Sequence, residues 1–190
     1  MEAFLVSTGV VALGEMGDKT QLLAMLLAVR FRRPLPIVLG ILVATLFNHG
    51  TAGLVGAWVA NALGPVVLRW VIGVSFIAMA GWMLVPDQVD ADEVPSQPRF
   101  GVFATTLVAF FLAEMGDKTQ IATVALAARY QDLTSVVAGT TLGMLIADVP
   151  AVFAGGAIAQ RVPMKLVHGV AAGIFVVLGV LTLANVAGVF

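Results

Sequence analysis

Apolar residues run along this chain in six long blocks, separated by short polar or proline-bearing stretches. The blocks cover residues 3–29, 35–60, 65–85, 100–128, 133–159 and 163–189. Each is long enough to cross a hydrocarbon core as a helix, which takes about 20 residues. Four of the separators, RFRRP, NALGP, RYQD and QRVP, are short, and one, PDQVDADEVPSQPR, is long and polar. Pro34, Pro65 and Pro163 stand where a block begins, which suits the first turn of a helix, where no N–H is needed. The pattern predicts an all-α integral membrane protein with six transmembrane helices.

The polar stretch divides the chain into residues 1–86, an acidic linker at 87–99, and residues 100–190. Shifting the first part by 99 residues superimposes Leu13 on Leu112, Leu27 on Leu126, Arg30 on Arg129, Gly40 on Gly139 and Gly56 on Gly155. This is an internal repeat of a three-helix unit. An odd number of helices sends the second copy into the bilayer from the opposite side, so two inverted three-helix repeats are expected. Basic residues mark the cytoplasmic side. Arg30, Arg32, Arg33, Arg99, Arg161 and Lys165 fall on one side, against Arg69 and Arg129 on the other. That count places the linker in the cytoplasm and both termini outside.

Composition narrows the chemistry. Charged residues make up 11% of the chain and hydrophobic residues 60%, against about a quarter charged in soluble domains. The net charge of −1 offers no basic field for nucleic acid. No cysteine is present, which removes disulfides, thiolate metal sites and thiol nucleophiles. The first block lacks a basic leader and runs into charges where a cleavage site would stand, so it is expected to be a mature helix.

Against this background the heptapeptide EMGDKTQ occurs twice, at residues 15–21 and 114–120, near the middle of blocks 1 and 4. A charge at the bilayer centre costs at least ~2.5–3.5 kcal/mol on insertion scales. On a continuous helix Glu15, Asp18 and Lys19 stand at i, i+3 and i+4, on one side. Gly17 and Gly116 allow either close helix approach or a local break that exposes carbonyls. If the two copies face each other, Glu15, Asp18, Glu114 and Asp117 meet in one cavity. Four carboxylates and two lysines, Lys19 and Lys118, leave −2. One divalent cation neutralises that, and so do two protons, because desolvation and mutual repulsion favour protonation of clustered carboxyls. Hard oxygen ligands favour Ca²⁺, Mn²⁺ or Mg²⁺. Thr20, Thr119, Gln21 and Gln120 can add neutral oxygens. The competing structural reading makes Glu15–Lys19 and Glu114–Lys118 intrahelical ion pairs that only lock packing.

Other polar positions carry less. Asp148 precedes Pro150 and falls on His49 under the shift, next to Asn48. These positions read as a proton relay behind the carboxylates, a lateral ligand, or a satisfied interhelical hydrogen bond. The pairs Gly139–Gly143 and Gly169–Gly173 read as packing faces. Asp87, Asp90, Asp92 and Glu93 read as a solvated linker. His168, Trp70 and Trp82 read as interfacial residues.

The doubled motif Glu15-Met16-Gly17-Asp18-Lys19-Thr20 and Glu114-Met115-Gly116-Asp117-Lys118-Thr119 resembles the signature of the Gdt family, small membrane proteins regarded as Mn²⁺ and Ca²⁺ transporters that exchange cation for H⁺. The resemblance spans essentially the whole chain, and neither motif copy departs from it. It implies that Glu15, Asp18, Glu114 and Asp117 bind the cation, with Thr20, Thr119, Gln21 and Gln120 nearby. The targeting extension of some family members is missing, which suits a bacterial inner-membrane protein.

The expectation is therefore a secondary transporter that exports Mn²⁺, with Ca²⁺ as second choice, in exchange for H⁺ by alternating access. It implies no prosthetic group. The partners expected are the lipid bilayer, the cation and H⁺, and the sequence is compatible with a homo-oligomer. A passive divalent-cation channel is the alternative. An enzyme is not expected, since no nucleophile–base pair or ligand-spaced histidine pair is present.

Overall fold

The computed structural model describes residues 1–85, 100–154 and 164–184. The acidic linker at 87–99, together with Gly155, Arg161 and Pro163, lies outside the described residues. Among the described residues every regular element is helical. The helices are α1 (Glu2–Glu15), α2 (Lys19–Phe31), α3 (Pro34–Ala62), α4 (Pro65–Met83), α5 (Gly101–Glu114), α6 (Lys118–Tyr130), α7 (Leu133–Ala154) and α8 (Met164–Ala184). Four of them, α3, α4, α7 and α8, are long and apolar enough to cross a membrane.

The expected first and fourth blocks are not continuous helices. α1 and α2 have 14 and 13 residues, and so do α5 and α6. None of these four reaches the ~20 residues a crossing needs. The interruption has the same form in both places. Met16 and Met115 are extended, Gly17 and Gly116 have φ of 84° and 79°, and Asp18 and Asp117 return to extended backbone. Positive φ at the middle position of the break is what only glycine adopts at no steric cost. Of the two uses the sequence left open for these glycines, the structure takes the break.

Helix ends coincide under the 99-residue shift. α1 maps onto α5 and α2 onto α6 residue for residue, and α3, α4, α7 and α8 share their starts, with Pro34 and Pro65 in the first turn of α3 and α4. α2 and α6 stop the same way. Arg32 and Gln131, both at φ 51°, adopt the left-handed conformation, and their N–H groups donate to the carbonyls of Ala28 and Ala127. At the start of α7, Asp132 accepts a hydrogen bond from the Ser135 N–H at 3.1 Å, an ordinary N-terminal cap.

Packing is tightest where α1 crosses α7 and α5 crosses α3, and α4 lies along α8. In lipid, apolar side chains gain little by leaving their surroundings, so close backbone approach through small residues carries helix association. Gly139 shows it: a Cβ there would stand 2.5 Å from the Phe4 carbonyl oxygen, and its repeat mate Gly40 would meet Thr106 Cβ at 2.8 Å. Gly143 is equally close to α1, so the first glycine pair is a packing face as expected. Gly169 and Gly173 show no such approach, because a Cβ at either would meet nothing within 4 Å among the described residues.

Two apolar cores result. The first gathers Val10, Leu126 and Val136 with Leu68, Ile72, Phe76, Met79 and Met83 of α4 and Ala172, Phe175 and Leu178 of α8. Phe76 and Phe175 sit with ring centroids 6.0 Å apart at its centre. The second gathers Leu23, Leu27, Ile37, Ile41, Phe110 and Ala151.

Candidate functional site

Each break turns its polar residues inward at the join of two short helices. Glu15 ends α1 and Glu114 ends α5, and both are fully buried. Asp18 and Asp117 stand at the N-terminal caps of α2 and α6, 2% and 4% exposed. A capping aspartate normally accepts from the N–H groups of its own helix. Neither does so here, and both carboxylates point at the opposite copy instead.

That placement changes the ion pairing. Glu15 and Lys19 belong to different helices, so the i, i+4 relation expected for a continuous helix does not hold, and no intrahelical Glu–Lys pair forms among the described residues. The lysines cross between copies. Lys19 Nζ lies 2.9 Å from Asp117 Oδ1, and Lys118 Nζ lies 3.8 Å from Asp18 Oδ1. Lys118 also donates to the carbonyl oxygen of Val85 at 3.3 Å. The two pairs differ in exposure: the Lys19 side chain is 26% accessible and that of Lys118 3%.

Each glutamate is held by a threonine from the other short helix of its own motif copy. Thr20 donates its hydroxyl to Glu15 Oε2 at 2.6 Å, and Thr119 donates to Glu114 Oε2 at 3.2 Å. The glutamines stitch the breaks. Gln21 Oε1 accepts from the Gly17 N–H at 2.9 Å and Gln120 Oε1 from the Gly116 N–H at 2.7 Å. Gln21 also donates to the Ala147 carbonyl of α7 at 2.9 Å. The amide oxygens are thus turned to backbone rather than into the carboxylate cluster.

Glu15, Glu114 and Asp117 come together: one oxygen from each lies within 4.8 Å of the others. Glu15 Oε1, Glu114 Oε1 and Asp117 Oδ2 are buried and have no hydrogen-bond partner among the described residues. Buried polar atoms are nearly always satisfied. Three buried carboxylates that converge from two copies of one motif, each with an unsatisfied oxygen, therefore fit a site that takes up positive charge. Asp18 is not part of this close group; its carboxylate faces Lys118.

The remaining candidates lie around the cluster. Asp148 is fully buried, both its oxygens lack a hydrogen-bond partner among the described residues, and it is within electrostatic reach of Glu15 and Glu114. It makes no interhelical hydrogen bond through its carboxylate among the described residues. His49 is equally buried and neither ring nitrogen has a partner there. Asn48 donates to the Phe111 carbonyl of α5 at 3.2 Å and so ties α3 to the helix that carries Glu114.

One residue beside the site was read as interfacial from the sequence. His168 Nε2 lies 2.9 Å from the Met16 carbonyl oxygen, inside the first break. A carbonyl only accepts, so that ring nitrogen carries the proton. The available signal was the repeat itself, because the shift places Arg69 on His168 and so marks a polar position shared by both copies.

The family described as "Divalent cation/proton antiporter GDT1" matches residues 3–91 and 102–188. The chain is 49% identical over 183 residues to a protein of Vibrio cholerae serotype O1 named "Putative manganese exporter", covering 96% of this chain and 90% of that one. It is 29% identical to the GDT1-like protein sll0615 of Synechocystis sp., covering 88% of this chain and 89% of the other. GDT1-like protein 4 of Oryza sativa subsp. indica is 27% identical, with 85% of this chain and 66% of the other covered. No solved structure matches. The doubled motif, the apolar helices and the match along both halves lead to one conclusion: the chain belongs to the GDT1 family of divalent cation/proton antiporters, multi-pass membrane proteins that transport cations.

Proposed function

We propose that the chain exports a divalent cation in exchange for H⁺, with Mn²⁺ preferred and Ca²⁺ second, through one site built from both motif copies. The observation that carries this reading is the convergence of Glu15, Glu114 and Asp117, three buried carboxylates within 4.8 Å. Asp18 completes the acid set through Lys118. On this reading α1 with α2, and α5 with α6, are two interrupted spans that join α3, α4, α7 and α8 to make six. The two three-helix halves are inverted in the bilayer, residues 87–99 are cytoplasmic, and both termini lie outside. In a bacterial cell the membrane is the inner one.

The chemistry follows from charge. Lys19 and Lys118 offset two of the four acids, which leaves a deficit that one dication or two protons fill. Both loads need the same oxygens, so binding one displaces the other. Thr20 and Thr119 fix the glutamates, and Gln21 and Gln120 hold the backbone breaks in shape. Carboxylate oxygens with no thiolate suit Mn²⁺ and Ca²⁺. Asp148 and His49 serve as positions through which protons reach the glutamates, with Asn48 fixing α3 against α5. The relative named as a manganese exporter supports Mn²⁺ as the first choice.

The test is exchange in proteoliposomes read with a pH-sensitive dye, with Mn²⁺, Ca²⁺ and Mg²⁺ in competition. Cation entry that moves protons outward, and that saturates, is the expected result. Flux indifferent to the pH gradient and linear in cation concentration would make the protein a channel instead.

A further inference from the structure

Resting on the antiport reading, we propose that α4 and α8 move as one pair between two seats related by the 99-residue repeat, and that His168 and Arg69 hold the pair alternately to the first and the second helix break.

The two apolar cores are built from repeat mates. Leu126 and Val136 in the first core correspond to Leu27 and Ile37 in the second, and buried Val11 corresponds to Phe110. α4 and α8 supply much of the first core, through Ile72, Phe76, Met83, Phe175 and others. Among the described residues they supply nothing to the second. The helix contacts agree. α4 packs on α6 and α8 on α1, while the repeat-related pairs, α8 with α2 and α4 with α5, show no comparable packing among the described residues. α1 and α6 lie together: the Tyr130 hydroxyl at the end of α6 is 3.5 Å from the Glu2 carboxylate at the start of α1. The pair therefore covers the α1/α6 end and leaves the α2/α5 end uncovered.

Three contacts hold it there, and each has a repeat mate that is not made among the described residues. His168 donates to the Met16 carbonyl at 2.9 Å. Its mate is Arg69 with the Met115 carbonyl; Arg69 Nε has no hydrogen-bond partner among the described residues, and Met115 is 55% exposed. Lys118 donates to the Val85 carbonyl. Its mate is Lys19 with the Ala184 carbonyl, and Lys19 is the lysine left 26% accessible. Met83 presses on Gly14, its Cε 2.6 Å from where a Cβ would stand. Its mate is Thr182 with Ala113, and Thr182 instead accepts a hydrogen bond from Arg129.

Two seats related by the repeat, joined by packing that lipid neither favours nor opposes strongly, make a bistable element. Moving the pair from one to the other closes the uncovered end and opens the covered one, so the carboxylates face each side in turn. Arg69 and His168 are positioning residues in this scheme: they grip break carbonyls beside the site and touch no cation.

The chain has no cysteine, so engineered pairs report cleanly. Met16→Cys with His168→Cys marks the described seat, and Met115→Cys with Arg69→Cys marks the other. Each double variant is reconstituted and treated with a reducible thiol cross-linker, with and without Mn²⁺ and a pH gradient. The first pair is expected to cross-link at rest and the second during turnover. Each link is expected to stop Mn²⁺-driven proton movement, and reduction to return it to the rate of the same double variant before linking, a rate below the parent's because one grip is lost, which shows that the variants are folded. A parent protein that exchanges Mn²⁺ while the second pair never links would overturn the two-seat scheme and leave the antiport reading standing. So would full exchange with the first pair linked. Both pairs linking in a parent that carries no cation would uphold the scheme and end the antiport reading.

Discussion

Lys19 reaches Asp117 in the other copy of its own motif, at 2.9 Å, rather than Glu15 four residues before it. The pairing between copies ties the two helix breaks to each other and places a fixed positive charge beside the clustered acids. It is also only partly shielded from solvent, unlike the deeper pair of Lys118 with Asp18.

The first prediction concerns the three converging acids. Glu15→Gln, Glu114→Gln and Asp117→Asn each remove one negative oxygen pair at nearly constant volume. Exchange in proteoliposomes is expected to fall to background in all three, while size-exclusion profiles in detergent stay those of the parent. Full exchange in any of them rejects that residue as a ligand.

Thr20→Val tests the orienting hydroxyl. The Thr20–Glu15 bond is 2.6 Å long and entirely buried. Loss of a bond that orients a ligand typically costs ~10–100-fold in metal affinity. A KM for Mn²⁺ raised within that range is expected, with a smaller change for Thr119→Val, whose bond is 3.2 Å. An unchanged KM in Thr20→Val would show that the hydroxyl does not set the carboxylate.

Lys19→Met leaves Asp117 buried without its cation. Removing one partner of a buried pair costs roughly 3–5 kcal/mol, at the low end here because Lys19 is partly accessible. A dication can replace the missing charge, and a ligand that binds only the folded state raises its stability. Thermal unfolding in detergent should therefore show a lower midpoint for Lys19→Met and a larger upward shift with Mn²⁺ than the parent gives. Equal shifts in both would place Lys19 outside the cation site.

Gly116→Ala isolates the backbone requirement of the break. A Cβ at this position meets nothing within 4 Å, so space is not the obstacle. The φ of 79° is, and a left-handed conformation costs an L-residue about 1–2 kcal/mol. A loss of that order is expected from denaturant or thermal unfolding. A neutral substitution would mean that the break relaxes to ordinary helix in the variant, which restored helicity by circular dichroism would reveal.

Much of the protein was readable without coordinates. The doubled heptapeptide located Glu15, Glu114 and Asp117, because ionisable groups in apolar blocks have few other uses. The 99-residue shift fixed matching helix ends, and Pro34 and Pro65 fixed the starts of α3 and α4. Those signals are local: they depend on residue type and spacing within a few turns. The family signature lies in the same contiguous residues.

Tertiary structure decided the rest, because it concerns which groups meet across the repeat. Gly17 permits both a break and a close crossing, and nothing near it in the chain separates them. The break wins where Asp18 and Asp117 gain lysines from the opposite copy and Gln21 and Gln120 satisfy the freed N–H groups. The same holds for His168, an ordinary polar residue near a helix start until folding sets it against Met16. The repeat predicts equal halves, and only the folded arrangement shows that α4 and α8 sit with α1 and α6.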